Sequence, residues 1–304
     1  MQYIIYFPKI YFEDVVCKIT IRNKNKQKGR NMKKYMSIMV AALVAMVLVS
    51  GCKKKSTTNK LDAIKAAGKL VVYTNPEFPP YEYLGKDKAI VGCEIDIVNR
   101  IAARIGVKAE IVSAEFDSII GTVQTGKADL GASGFTITEE RKQLVDFSDV
   151  FDRSVQYIIV PKDSTVKVVE DLAGKKIGGQ NGTTGFMMVE DAINKGVLKD
   201  TGAKIMSYNN APDAVVAMKA GQLDAVVIDK LVAMALANKN DMECFEMLKK
   251  DGQGLAAAEE FGMIVAKGNE DLLAIVNEVI HEMKEDESYE KAAIFHQEAS
   301  GDAE

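Results

Sequence analysis

The sequence is poor in the side chains on which most catalysis and metal binding depend. It carries two histidines, His281 and His296, both in a C-terminal stretch that reads as helix. The patterns Gly-x-Ser-x-Gly, Cys-x-x-Cys and His-Glu-x-x-His do not occur, so metal and nucleophilic chemistry have no visible foothold and no cofactor is expected. Cysteine is scarce as well. Of the four, Cys93 and Cys244 fall in the body of the chain, and they read as buried thiols rather than a disulfide. Positive charge is short beyond residue 51: Cys52–Glu304 keeps 30 of the 39 basic but 41 of the 43 acidic residues, a net charge of −11. That balance argues against nucleic acid, whose binding rests on basic neutralisation of phosphates.

A hydrophobic run long enough to span a membrane comfortably is also missing. From Met32 the text is MKKYMSIMVAALVAMVLVSGC. Two lysines, an apolar run over 38–49 and small residues ahead of Cys52 make a secretory signal over 32–51. The ending VSGC is similar to a bacterial lipobox, which would make Cys52 a lipid-bearing N-terminus. Residues 52–60 then form a polar tether. Residues 1–31 read as a mis-called extension, because Lys28-Gly29-Arg30-Asn31 is compatible with a purine-rich ribosome-binding site ahead of a true start at Met32.

The body of the chain looks written twice. AGKLVVYTN (67–75) recurs as AGKKIGGQN (173–181), and DSIIGTVQTGKADLGAS (117–133) is echoed in the same order by DAVVAMKAGQLDAVVID (213–229). Each half predicts strand, helix, strand, helix and strand: 70–73, 94–105, 108–113, 117–125 and 128–132, then 176–179, 184–195, 204–207, 213–220 and 225–228. Alternation of this kind implies an α/β protein of two lobes with parallel-dominated sheets, helices on both faces, and ligands beyond the carboxyl ends of the strands.

Two motifs mislead. GTVQTGKA (121–128) fits a P-loop until Ala128 replaces the hydroxyl that would hold Mg²⁺, and a helix precedes it, so it reads as a helix end and turn. GGQNGTTG (178–185) follows a strand and opens a helix, so either a tight turn or an anion cradle fits. Its spacing is wrong for a dinucleotide fingerprint.

The stretch GASGFTITEERKQLVDFS (131–148) breaks local rules in a telling way. A strand should end in core-filling residues, yet it ends in glycines with the hydroxyls of Ser133 and Thr136. The next helix opens well on Thr138, Glu139 and Glu140, and then Arg141 puts a cation where the macrodipole disfavours it. A free amino acid would explain both. Its carboxylate wants a bidentate arginine and backbone amides, which Arg141 and the helix start at Gly182, Thr183 and Thr184 supply. Its ammonium wants a buried carboxylate and oxygen acceptors, which Asp229, Gly134 and Thr136 supply.

TNPEFPPYEY, GCEIDIVNRIAARIGV, the 116–148 stretch, QNGTTG and AVVID together resemble the family-3 solute-binding proteins of bacterial amino-acid ABC importers, from about Leu61 to Tyr289. The resemblance implies a type II periplasmic-binding-protein fold, with 61–156 plus 257–304 as one lobe, 157–256 as the other, and two hinge crossings near 154–157 and 255–261. It implies a monomer that captures a free polar or basic L-amino acid and presents it to a membrane permease with a cytoplasmic ATPase. It also implies an extracytoplasmic, lipid-anchored location, more expected on a Gram-positive outer face than in a periplasm. Arg141 becomes the carboxylate clamp with Thr184 as backbone partner, and Phe78 and Phe116 the aromatic pair around the ligand side chain. Asn75 stands where binders of basic amino acids often carry aspartate, and Gln180 can reach the same side chain. The main rival is an exported enzyme similar to the cyclohexadienyl dehydratases. It would need a general acid, for which Glu77, Glu82 and Glu115 are at hand but read as solvated. A sensor domain acting through a partner is the second rival.

Overall fold

A computed structural model describes residues 59–301. The signal, Cys52, the extension over 1–31 and nearly all of the tether lie outside the described residues. The first half begins with α1 (Lys60–Ala67) and β1 (Lys69–Thr74), followed by a small ribbon, β2 (Glu77–Phe78), β3 (Glu82–Leu84) and β4 (Ile90–Val91). It continues through α2 (Cys93–Ile105), β5 (Lys108–Ser113), α3 (Phe116–Gln124), β6 (Leu130–Gly131), α4 (Glu139–Leu144) and β7 (Asp146–Phe147). The chain crosses over in β8 (Asp152–Ser154) and β9 (Gln156–Val160). The second half holds β10 (Lys176–Gln180), α5 (Thr184–Lys195), β11 (Lys204–Tyr208), α6 (Ala211–Lys219), β12 (Ala225–Asp229), α7 (Lys230–Asn240) and β13 (Glu243–Glu246). The return is β14 (Glu259–Phe261), then β15 (Ile264–Val265), α8 (Glu270–Glu285) and α9 (Ser288–Gly301).

Each half builds a five-stranded sheet on the same plan. The orders are β5-β1-β6-β15-β7 and β11-β10-β12-β9-β13. In each, the first strand lies parallel between the second and third, and an antiparallel strand from across the hinge extends the sheet. The sequence echo has a physical counterpart. Asp129 accepts the backbone N–H of Val71 at 2.8 Å, and its counterpart Asp224 accepts that of Lys176 at 2.8 Å, so each ties the third strand's entry to the start of the first.

The helices follow from their apolar spacing. In α2, Ile97, Val98, Ile101, Ala102 and Ile105 are buried on one stripe, and Gly106 closes the helix in the left-handed region at φ 85°. The P-loop look-alike is a helix end as expected, with Thr125 at the C-cap of α3 and Gly126 at φ 74°. Most element ends differ from the sequence reading by one or two residues, and β6 is shorter than the predicted strand 128–132. The C-terminal helices reach further than expected. Helices α8 and α9 pack on α2, but α9 also lies against α7 of the second half. Among the described residues no helix is long and apolar enough to cross a membrane.

Parallel pairing sets where the loops go. Thr74, Ser113 and Gly131 end their strands at one edge of the first sheet, and Gln180, Tyr208 and Asp229 end theirs in the second. The crossing strands β8 and β14 pair antiparallel, Ser154 opposite Glu259 and Asp152 opposite Phe261.

Candidate functional site

The strand ends of both sheets close on one narrow cavity with an internal volume of about 10 Å³. Of the ligand-site residues expected from the sequence, all but Gly182 line it. From the first half come Asn75 and Phe78, then Phe116, then Ser133, Gly134, Thr136 and Arg141; from the second come Gln180, Thr183, Thr184 and Asp229.

Thr138 caps α4 by accepting the N–H of Arg141 at 3.2 Å, which orients the first turn. The arginine side chain then turns inward and is only 7% exposed. Its Nη1 donates to the carbonyl of Thr136 at 2.8 Å and its Nη2 to that of Gly182 at 3.0 Å, one acceptor from each half. Its guanidinium lies 5.6 Å from the ring of Phe116 and 5.7 Å from that of Phe135, which are themselves stacked at 4.8 Å. Burial pulls the guanidinium below its usual value, while Glu259 and Asp229 act in the other direction. Among the described residues no carboxylate is ion-paired to it, so an arriving anion would find a cation already dry and held in place.

Opposite it, α5 starts at the cavity. Thr183 caps this helix, accepting the N–H of Phe186 at 3.2 Å and donating to the carbonyl of Gln180 at 2.8 Å. Thr184 and Thr136 join their hydroxyls across the cleft at 3.2 Å. Gly185 lets α5 lie close against β9, because a Cβ there would sit 2.3 Å from Oε1 of Gln156.

The floor is built from the first sheet. Asn75 receives support from two sides: its N–H donates to Oγ of Ser133 and its Nδ2 to the carbonyl of Ala114, each at 3.0 Å. Gln180 donates from Nε2 to Oδ1 of Asn75 at 2.9 Å and to the carbonyl of Asn209 at 3.0 Å. Gly134 stands at φ 56°, where a Cβ would fall 2.5 Å from the ring of Phe78. Phe78 is stacked on Tyr81 with centroids 5.4 Å apart. Phe78 and Phe116 thus each bring a backed aromatic face rather than a loose ring.

Sequence reasoning missed an inner layer. Glu82, expected to be solvated, is fully buried, as is Glu94. Oγ of Ser133 donates to Oε1 of Glu82 at 3.0 Å, and the N–H of Gly134 donates to Oε2 of Glu94 at 2.8 Å. The two carboxyls sit together beneath the cavity floor. Burial, then the charge of Glu94, holds Glu82 well above the usual carboxylate range, and burial pushes Glu94 up to about 7. A proton held between two such buried carboxyls would remove their repulsion. Glu77 is half-buried and Glu115 exposed, and neither lines the cavity. Asp229 is 4% exposed, with Oδ1 lacking a donor; burial and the nearby Glu259 hold it well above its ordinary value. The signal for the hidden acids was faint: Glu94 sits between Cys93 and Ile95 at the start of an amphipathic helix, and Glu82 sits between two tyrosines. Cys93 is buried and Cys244 half-buried, and both are free.

Residues 70–294 match the family model described as bacterial extracellular solute-binding proteins, family 3. The L-cystine-binding protein TcyJ of Escherichia coli (strain K12) is 30% identical over 253 residues, covering 83% of this chain and 90% of that protein. The arginine-binding extracellular protein ArtP of Bacillus subtilis (strain 168) is 30% identical over 265 residues, covering 86% and 96%. Among solved structures, the arginine-bound form of truncated ArgBP from T. maritima is 38% identical with a TM-score of 0.65, covering 73% of this chain and 99% of that one. The substrate-binding protein AbpA from Streptococcus pneumoniae bound to L-arginine gives 31% and a TM-score of 0.72, with coverage of 79% and 98%. These relatives are named as binding proteins, not enzymes, and AbpA as the substrate-binding protein of an amino-acid ABC transporter. The fold is the type II periplasmic-binding-protein fold anticipated from the sequence.

Proposed function

The chain belongs to the bacterial extracellular solute-binding proteins of family 3, and we propose that its ligand is a free L-amino acid with a neutral, hydrogen-bonding side chain. One observation carries the choice. Among the described residues lining the cavity, Arg141 and Asp229 are the only ones of charged type, one of each sign. The carboxylate and ammonium of an amino acid take up both, which leaves no counter-charge for a charged side chain.

Arg141 clamps the carboxylate together with the backbone N–H of Thr184 at the start of α5, where Thr183 holds the turn. Asp229, the carbonyl of Gly134 and the hydroxyl of Thr136 receive the ammonium. Phe78 and Phe116 flank the side chain, and the amides of Asn75 and Gln180, with Ser133 bracing the former, read its polar end. The lobes, 61–156 with 257–304 and 157–256, close on the ligand about β8 and β14. The closed form is what the permease of an ABC importer reads. Arginine is the second reading: two aromatic faces suit a guanidinium, and arginine-bound relatives exist.

A thermal-shift panel of the twenty amino acids and prephenate, on protein unfolded and refolded to strip carried-over ligand, tests this. A ligand at a thousand times its Kd adds ~4 kcal/mol, a rise of several degrees. Glutamine-like ligands leading the panel support the neutral reading, arginine leading it supports the second, and prephenate alone would point to an enzyme on this fold.

The sequence VSGC supports lipid attachment at Cys52 to the outer face of the cell membrane, more fitting for a Gram-positive cell. Cys52→Ala should then release the protein into the medium. The cavity is complete within one chain, which supports a monomer, and light scattering of the purified protein checks it.

A further inference from the structure

The hinge brings together two carboxyls, of which the ligand reading uses one. In β9, Gln156 stands opposite Asp229 of β12, and two residues earlier Ser154 of β8 stands opposite Glu259 of β14. Alternate residues of an extended chain face the same way. Asp229 and Glu259 therefore lie side by side, 4% and 6% exposed. Glu259 accepts from Nε2 of Gln156 at 2.7 Å through Oε2, but its Oε1, like Oδ1 of Asp229, is buried with no donor. Two ionised carboxylates in such contact repel strongly at low dielectric, and a proton held by one of them removes the conflict.

The groups facing Asp229 decide which acid holds it. Glu259 comes from β14, Ser154 and Gln156 from the crossing strand, Arg141 from α4 and the phenol of Tyr81 from the ribbon. Glu259 has the amide of Gln156 to stabilise its charge. Asp229 meets the cavity, and burial, then the charge of Glu259, favours its neutral form over the opposing hydrogen bonds from Ser154 and Gln156.

We infer that Glu259 keeps a proton on Asp229 until an amino acid's ammonium arrives, so that each capture releases about one proton. This rests on the reading that Asp229 receives the ammonium. The step balances: the ammonium keeps all its hydrogens, the O–H bond of Asp229 breaks, the carboxylate left behind pairs with the ammonium, and the proton goes to solvent. Glu259 is a positioning residue that acts through Asp229. Binding weakens tenfold for each pH unit below the titration of Asp229, and analogues without the amine cannot displace the proton.

The test is calorimetry of the purified protein with L-glutamine and L-arginine as probes, in buffers of different ionisation heat near neutral pH. The wild type should release about one proton per molecule bound. Glu259→Gln, whose amide can donate to an ionised Asp229, should release less than half as much and lose most of the pH dependence of Kd. Binding by the wild type with no proton exchange overturns the inference. Asp229→Asn separates the two claims: wild-type affinity in that variant overturns the ammonium reading itself. Infrared spectra of the free protein need no ligand. A protonated-carboxyl band present in the wild type and removed by Asp229→Asn supports the inference, and identical spectra overturn it.

Discussion

Gln180 reaches across the cleft to donate to Oδ1 of Asn75 at 2.9 Å, joining the end of β10 to the loop after β1. The two amides form a neutral, hydrogen-bonding end wall in a cavity where, among the described residues, Arg141 and Asp229 are the only ones of charged type. Asn75 is also held by Ser133 and Ala114, so its amide is fixed and not free to adapt.

Asn75→Asp should therefore redirect specificity. A carboxylate can still accept from Gln180, and it supplies the counter-charge that a cationic side chain lacks. Hydrogen bonds to charged groups contribute about 1.5–3 kcal/mol, so affinity for L-arginine or L-lysine should rise roughly tenfold or more over that for L-glutamine. Calorimetry with the three amino acids measures the ratio. An unchanged ratio would place the side chain away from Asn75.

Arg141→Ala should cost about 3 kcal/mol of binding, roughly a hundredfold in Kd. The loss has two parts. The charge-assisted contact to the ligand carboxylate goes, and so do the donors that meet the carbonyls of Thr136 and Gly182 from the two halves. Affinity equal to the wild type would mean that the ligand binds elsewhere.

The outer face of this site was legible because each of its residues breaks a local rule. Arg141 sits where the helix dipole disfavours it, Asp229 ends an apolar strand, and glycines and hydroxyls end another. Strand–helix alternation then placed all of them at carboxyl ends, and α5 begins and ends where its pattern said. The inner acids break no such rule. Glu82 lies in a proline-rich loop sequence and Glu259 follows three alanines and precedes another glutamate, contexts that normally mean solvent. Only tertiary packing buries them, Glu82 through its contact with Ser133 of the floor and Glu259 through β14 against the crossing strand. Phe135 was hidden in the same way, since its role under Arg141 depends on a ring 19 residues earlier in the chain, Phe116.

The Glu82–Glu94 pair gives a stability signature. Both carboxyls are held above their usual values, Glu94 at about 7, so the folded protein binds more protons than the unfolded chain. The stability this contributes is present below the usual carboxylate range and is lost as pH rises through about 7. Melting temperature should fall between about pH 5 and about pH 8, and Glu82→Gln should flatten that fall. Its amide can donate to Glu94 and still accept from Ser133, which reproduces the protonated acid at every pH. Melts of both proteins across that range check it, and an unaltered slope would show that the pair does not share a proton. Asp229 adds a slope of the same sign, so some fall should remain in the variant.

Gly134 links that inner layer to the ligand. Its N–H is held by Glu94 at 2.8 Å, its φ of 56° suits glycine, and a Cβ would press on the ring of Phe78 at 2.5 Å. Gly134→Ala should cost about 1–3 kcal/mol of stability from backbone strain and crowding. Phe78 is stacked on Tyr81, so it cannot retreat without disturbing a second ring. The displaced phenyl would enter the narrow cavity, and binding should suffer more than folding. Paired measurements of melting temperature and Kd separate the two effects. A variant that melts lower by a few degrees yet binds as the wild type does would show that the close approach at Gly134 serves packing alone.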